Sequence, residues 1–115
     1  MPKDYTQYKF NGAYYGKGRL VLAVIEAYVR QHPTITYNQL KNKFPDSLQR
    51  SETFTHEHEA IARVGIRRNF VAVHEISQLV DARIAVSNQW GINNIHRFLD
   101  RCRELGIEIT AEHQK

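Results

Sequence analysis

From Leu20 to Val29 every residue except Glu26 is apolar. That density predicts a helix buried on most of its sides at the centre of the molecule, read over Arg19 to His32. Pro33 stops it, because proline pushes the preceding residue out of helical angles and has no N–H to donate. The chain has 115 residues, enough for one hydrophobic core and therefore one domain over 1–115.

Around this helix the pattern predicts a small α+β fold of about three helices and short antiparallel hairpins. The aromatic segment Tyr5 to Tyr15 is divided by Asn11-Gly12, the dipeptide suited to the positive φ angles of a two-residue hairpin turn. Gly16-Lys17-Gly18 reads as a flexible basic connector. After Pro33, Thr36 with Gln39 three residues on forms a capping-box signal for a helix presenting Leu40 and Phe44 and ending at Pro45. Pro45 to Thr55 reads as loop, and Glu57 to Val64 as a short helix ended by Gly65. Phe70 to Val73 and Ile76 to Leu79 read as strand-like, with a turn near Asp81 into the strand Arg83 to Ser87. The last helix starts at Asn93 or Asn94 and runs to Leu105. Ile92, Ile95, Phe98, Leu99, Cys102 and Leu105 repeat at helical spacing and are expected inward, with Arg97, Asp100, Arg101 and Glu104 opposite. Gly106 ends it before a strand over Ile107 to Thr110.

Sixteen Lys and Arg against twelve Asp and Glu give a net charge of +4 and a pI near 9.4, a mild bias toward polyanions and acidic protein surfaces. Cys102 is the only cysteine, which excludes an intramolecular disulfide and a multi-cysteine zinc ribbon and fits a reducing cytoplasm. Met1 to Tyr5 lacks the apolar core of a signal peptide, and the run Leu20 to Ile25 is too short to span a bilayer. A cytoplasmic protein without membrane contact is expected.

Gly12 to Gly18 departs from a phosphate-binding loop: Gly16-Lys17 follows Gly12 after three residues where that motif has four, and Gly18 stands where it has a hydroxyl. His56-Glu57-His58-Glu59 would turn both imidazoles one way on a strand and apart on a helix, so solvated surface is the reading preferred to a metal site. Asp46 has no acid-x-lysine triplet downstream to complete a nuclease signature. Cys102, on the apolar face of the last helix, reads as an inert core thiol. No catalytic residue, metal or cofactor is expected, and the chain is read as a non-enzyme.

The remaining signals concern binding. Lys17, Arg19, Lys41, Lys43, Arg67 and Arg68 are candidates for phosphate contact, with Arg63 and Arg83 beside them in the same basic set. Asn38, Gln39 and Asn42 are candidates for base edges. Trp90, in the run Ser87 to Asn94, is read chiefly as a core plug with Asn93 or Asn94 capping the helix, and otherwise as a stacking or partner platform. The alternative to nucleic acid is a protein-interaction module, a homodimer, inhibitor or adaptor, using Tyr14, Tyr15 and Trp90.

Tyr8-Lys9-Phe10-Asn11-Gly12, Gly16 to Leu22, Phe44-Pro45-Asp46-Ser47-Leu48-Gln49 and Gln89-Trp90-Gly91-Ile92 together resemble a small bacterial module that occurs alone or joined to restriction-type proteins. The resemblance implies DNA as the partner and brings no catalytic site with it. Leu20 to Phe44 also resembles the opening of a winged helix, with the hairpin near Asp81 as the wing. The chain departs from that pattern after Phe44, where Pro45-Asp46-Ser47 intervenes and the next helical signal starts only near Glu57.

Overall fold

The computed structural model describes residues 5–63 and 65–112. Along the chain lie β1 (Gln7–Phe10), β2 (Ala13–Tyr15), α1 (Lys17–Gln31), α2 (Tyr37–Lys43) and a 3-10 turn at Asp46–Leu48. Then follow β3 (Phe54–His56), α3 (Glu57–Ala62), a 3-10 turn at Val73–Glu75, β4 (Ser77–Gln78), β5 (Arg83–Val86), α4 (Ile95–Glu104) and β6 (Thr110–Glu112). Over the described residues the fold is α+β with four α-helices and two three-stranded antiparallel sheets, ordered β2-β1-β6 and β3-β5-β4. Among the described residues no helix is long and apolar enough to cross a membrane.

The apolar stretch is the hub. Leu20, Val21, Leu22, Val24, Ile25, Ala27 and Val29 of α1 are buried, and the core they join takes Tyr8 and Phe10 from β1, Phe54 from β3, Ile84 and Val86 from β5, and Phe98 and Cys102 from α4. Contrary to the flexible connector expected over Gly16-Lys17-Gly18, Lys17 and Gly18 already belong to α1, whose first bond runs from the Leu20 N–H to the Gly16 carbonyl at 2.9 Å. Phe70 and Asn88 pack beside Gly18 at ordinary van der Waals distance. A Cβ at this position would stand 3.4 Å from the Phe70 ring and 3.7 Å from the Asn88 carbonyl oxygen.

The first turn signal and the α2 cap signal hold. Asn11 and Gly12 take φ angles of 50° and 81° in the β1–β2 turn, and Thr36 and Gln39 form the reciprocal capping box of α2. Three expectations are corrected. Pro45 to Thr55 is no plain loop, since it carries the 3-10 turn and most of β3. Phe70 to Val73 is not a strand: only Asn69 bridges to Ser87, and the chain then turns so that Glu75 accepts the Ala72 N–H at 3.1 Å and pairs with Arg19. The strand expected over Ile107 to Thr110 begins only at Thr110, where it meets β1. Val64, the expected end of α3, lies outside the described residues.

Ile92, expected on the inward face of the last helix, lies before α4 and is exposed, and the outer side of α4 is not simply solvated. Arg101 donates to the carbonyls of Lys43 at 2.7 Å and Asn42 at 3.3 Å, and Arg97 donates to that of Leu48 at 3.1 Å. The last carbonyls of a helix lack intrahelical partners, so Arg101 closes the end of α2 and ties it to α4.

Glu26 is the one acid in the buried stretch. Partial burial, joined by the nearby Glu75, holds its carboxyl above the ordinary 4.5 despite Arg30, His74 and Arg19. A carboxyl raised in the folded state favours folding while protonated, an advantage present below pH 4.5 and lost as pH rises through the folded value. At neutral pH, Glu26→Gln should therefore raise the melting temperature by about 1–3 °C, with the gain disappearing in melts below pH 4.5.

Candidate nucleic-acid interface

The loop from Ser87 to Asn94 is built by long-range side chains. Trp90 is half-buried, packs against Phe98 with ring centroids 5.5 Å apart and donates its Nε1–H to the Ser87 carbonyl at 2.8 Å. It therefore anchors the loop to the core. Gln49 donates to the Gln89 carbonyl at 2.9 Å while its side-chain oxygen accepts the N–H groups of Ser51 and Glu52. Asn94 occupies the N-cap of α4, but its side chain reaches back to the Gly91 N–H and to the Gln89 carbonyl rather than capping the helix. The segments Phe44 to Gln49 and Gln89 to Ile92 thus meet in space.

Asn88 joins this loop to two further segments. Its N–H donates to the Arg68 carbonyl at 2.9 Å, its side chain to the Arg67 carbonyl at 3.3 Å, and its own carbonyl lies against Gly18. Lys17, Arg19, Arg67 and Arg68 are consequently brought to one neighbourhood at the start of α1. The first turn of α1 contains no acid, and the positive end of its dipole adds to the charge there. Arg67 and Arg68 are exposed and form no ion pair with any described residue. Arg19 lies 4.6 Å from the Phe70 ring centroid and pairs with Glu75, whose carboxyl, raised by burial, is brought net below its usual value by Arg19 and the Ala72 N–H. The ammonium of Lys17 lies 5.9 Å from the Tyr8 ring centroid.

The α2 candidates fall elsewhere. Gln39 and Lys43 line a hollow with Gln31 and His32 at the opposite end of α1, about 20 Å away by the rise of that helix. Asn38, Asn42 and Lys43 are exposed, and the side-chain oxygen of Gln39 is occupied by its own cap. Lys41 is engaged: its Nζ donates to Asp46 at 2.7 Å and to the Phe54 carbonyl at 2.6 Å, and lies 3.7 Å from the Phe54 ring centroid. Arg63 and Arg83 are taken up by Glu52 and Glu57. Tyr14 is exposed with its hydroxyl toward Glu112, and Tyr15 packs partly into the core.

His56 and His58 do not diverge. His56 ends β3 and is the N-cap of α3, so its extended backbone brings its ring to a centroid distance of 5.4 Å from that of His58. Among the described residues no group of three or more His, Cys, Asp or Glu is arranged to hold a metal ion. Burial pushes the Cys102 thiol up to about 12, which leaves it protonated and a poor nucleophile. Comparison with family models, curated proteins and solved structures returns no match.

Proposed function

We propose that the protein is a cytoplasmic, non-enzymatic nucleic-acid-binding module that holds phosphates with Lys17, Arg19, Arg67 and Arg68. The observation that carries this reading is the clasp of Asn88 by the Arg67 and Arg68 carbonyls beside the first turn of α1, which gathers these cations, with Arg67 and Arg68 in no ion pair with any described residue. The resemblance to modules joined to restriction-type proteins favours DNA over RNA. In fluorescence anisotropy with labelled DNA, Arg67→Ala combined with Arg68→Ala should weaken binding about tenfold and reduce the salt dependence by about two released counterions, with little change in melting temperature. Unchanged affinity and salt slope would remove these arginines from the interface.

A winged-helix-like variant of the proposal uses α2 as a second contact, with Asn38 and Asn42 on bases and Lys43 on a phosphate. A different reading, a protein partner with an acidic surface or a second copy of the chain, is favoured by the exposed Ile66, Val73 and Ile92 on the loops around the same cations. Light scattering of the purified protein tests the second-copy form.

A further inference from the structure

A column of rings runs from the core to the surface at the far end of β5. Phe54, fully buried, meets the Tyr37 ring edge-on at a centroid distance of 5.3 Å. Tyr37 stacks on His56 at 4.1 Å with an interplanar angle of 5°, and His56 is stacked at 5.4 Å and 27° with His58, which is exposed. The inner end is fixed. Lys41 lies over both Phe54 and Tyr37, and the Tyr37 N–H donates to Asp81 at 2.8 Å. The acids of α3 are engaged rather than free: Glu57 pairs with Arg83 and Glu59 accepts from the Thr55 hydroxyl.

We infer that the outer face of His58 is a stacking platform for an unpaired base of single-stranded nucleic acid. This deepens the proposed function and rests on it. A base within a duplex has both faces covered by its neighbours, whereas an unpaired base presents a π-face that any aromatic surface can take. A column already ordered by its inner contacts loses little side-chain freedom when a base joins it. Its position suits the cationic surface. His56 pairs with Ile84 on one edge of β5 and Asn69 bridges to Ser87 on the other, so the column and the Arg67-Arg68 segment are offset by about 10 Å along the strand and about 10 Å across it. A short single strand can cover that span with its phosphates on the arginines and one base on His58.

The test is anisotropy at low salt with a short labelled oligothymidine and with a duplex, using the full chain. Wild type should prefer the single strand. His58→Ala should weaken single-strand binding at least roughly fivefold, the lower end of what one base–ring stack contributes, and leave the melting temperature and duplex binding unchanged. His58→Phe, which keeps a ring and removes the imidazole, should retain near wild-type affinity. If Arg67→Ala with Arg68→Ala weakens binding while His58→Ala does not, the platform is refuted and nucleic-acid binding stands. If His58→Phe fails like His58→Ala, the imidazole and not stacking is responsible, which also refutes it. If wild type binds neither probe, both readings fall.

Discussion

Replacing Lys41 with alanine is expected to destabilise the protein by about 2–3 kcal/mol, roughly 6–15 °C in melting temperature. The ammonium lies over two aromatic rings, satisfies the Phe54 carbonyl and holds Asp46. Asp46 in turn accepts the N–H of Thr53, which is fully buried and whose hydroxyl donates to the Pro45 carbonyl at 2.7 Å. Removing the lysine therefore strips a donor from a carbonyl beside the core and loosens the turn that leads into β3. Residue type and charge place Lys41 among phosphate contacts, and a loss of affinity in a Lys41 variant would look like support for that role. Lys43, exposed on the same helix, separates the two explanations, because Lys43→Glu should leave the melt unchanged. A Lys41→Ala melt within about 0.5 kcal/mol of wild type, the range of ordinary surface substitutions, would refute the anchoring role.

How much of the fold was legible follows from the range of the interactions that determine each part. The buried helix, the Asn11-Gly12 turn and the Thr36–Gln39 box are set by residues within a turn of one another, and the structure holds all three. Residues 45 to 55 and 65 to 76 lack periodicity because their conformation is fixed by distant partners. Asp46 gathers Lys41 and Thr53, Gln49 reaches Gln89, and Arg19 draws in Glu75. The polar edge of α4 was misjudged for the same reason: helical spacing places Arg97 and Arg101 away from the apolar stripe, but cannot foretell carbonyls 49 and 58 residues away in sequence for them to meet.

The candidate site was legible as a list of cations and not as a surface. Which arginines remain free depends on which acids the fold brings near. Arg63 is ion-paired with Glu52 and Arg83 with Glu57, whereas Arg67 and Arg68 form no ion pair with any described residue. Asn88, which gathers the cations, carried no signal beyond its place among amides. The segments around Gly16, Phe44 and Gln89 lie far apart in the sequence. They meet in one neighbourhood, held by Gln49 on Gln89 and by Asn88 against Gly18.

The largest test of that neighbourhood lies beneath it. Asn69→Ala is expected to cost about 2–3 kcal/mol, because Asn69 is buried and bonds in three directions. Its oxygen accepts from Arg63 at 2.9 Å, and its amide donates to the Ala85 carbonyl at 3.2 Å and to Glu52 at 3.3 Å. Alanine leaves the Ala85 carbonyl without that donor and removes one of the bonds steadying the Arg63–Glu52 pair. Hydrogen bonds from Arg63, helped by Asn69 and opposed by burial, hold the Glu52 carboxyl below its ordinary 4.5. A depressed carboxyl stabilises the fold above the unfolded value and loses that contribution as pH falls through the folded one. The melting-temperature gap between wild type and Asn69→Ala should therefore be widest above pH 4.5 and narrow in acid. The same substitution carries a functional consequence. Asn69 bridges to Ser87 directly before Asn88, so loosening it releases Arg67 and Arg68 from α1. Measured well below its melting temperature, Asn69→Ala should also bind DNA more weakly than wild type, although the asparagine is buried. Unaltered affinity in a destabilised variant would show that the cations do not need this register.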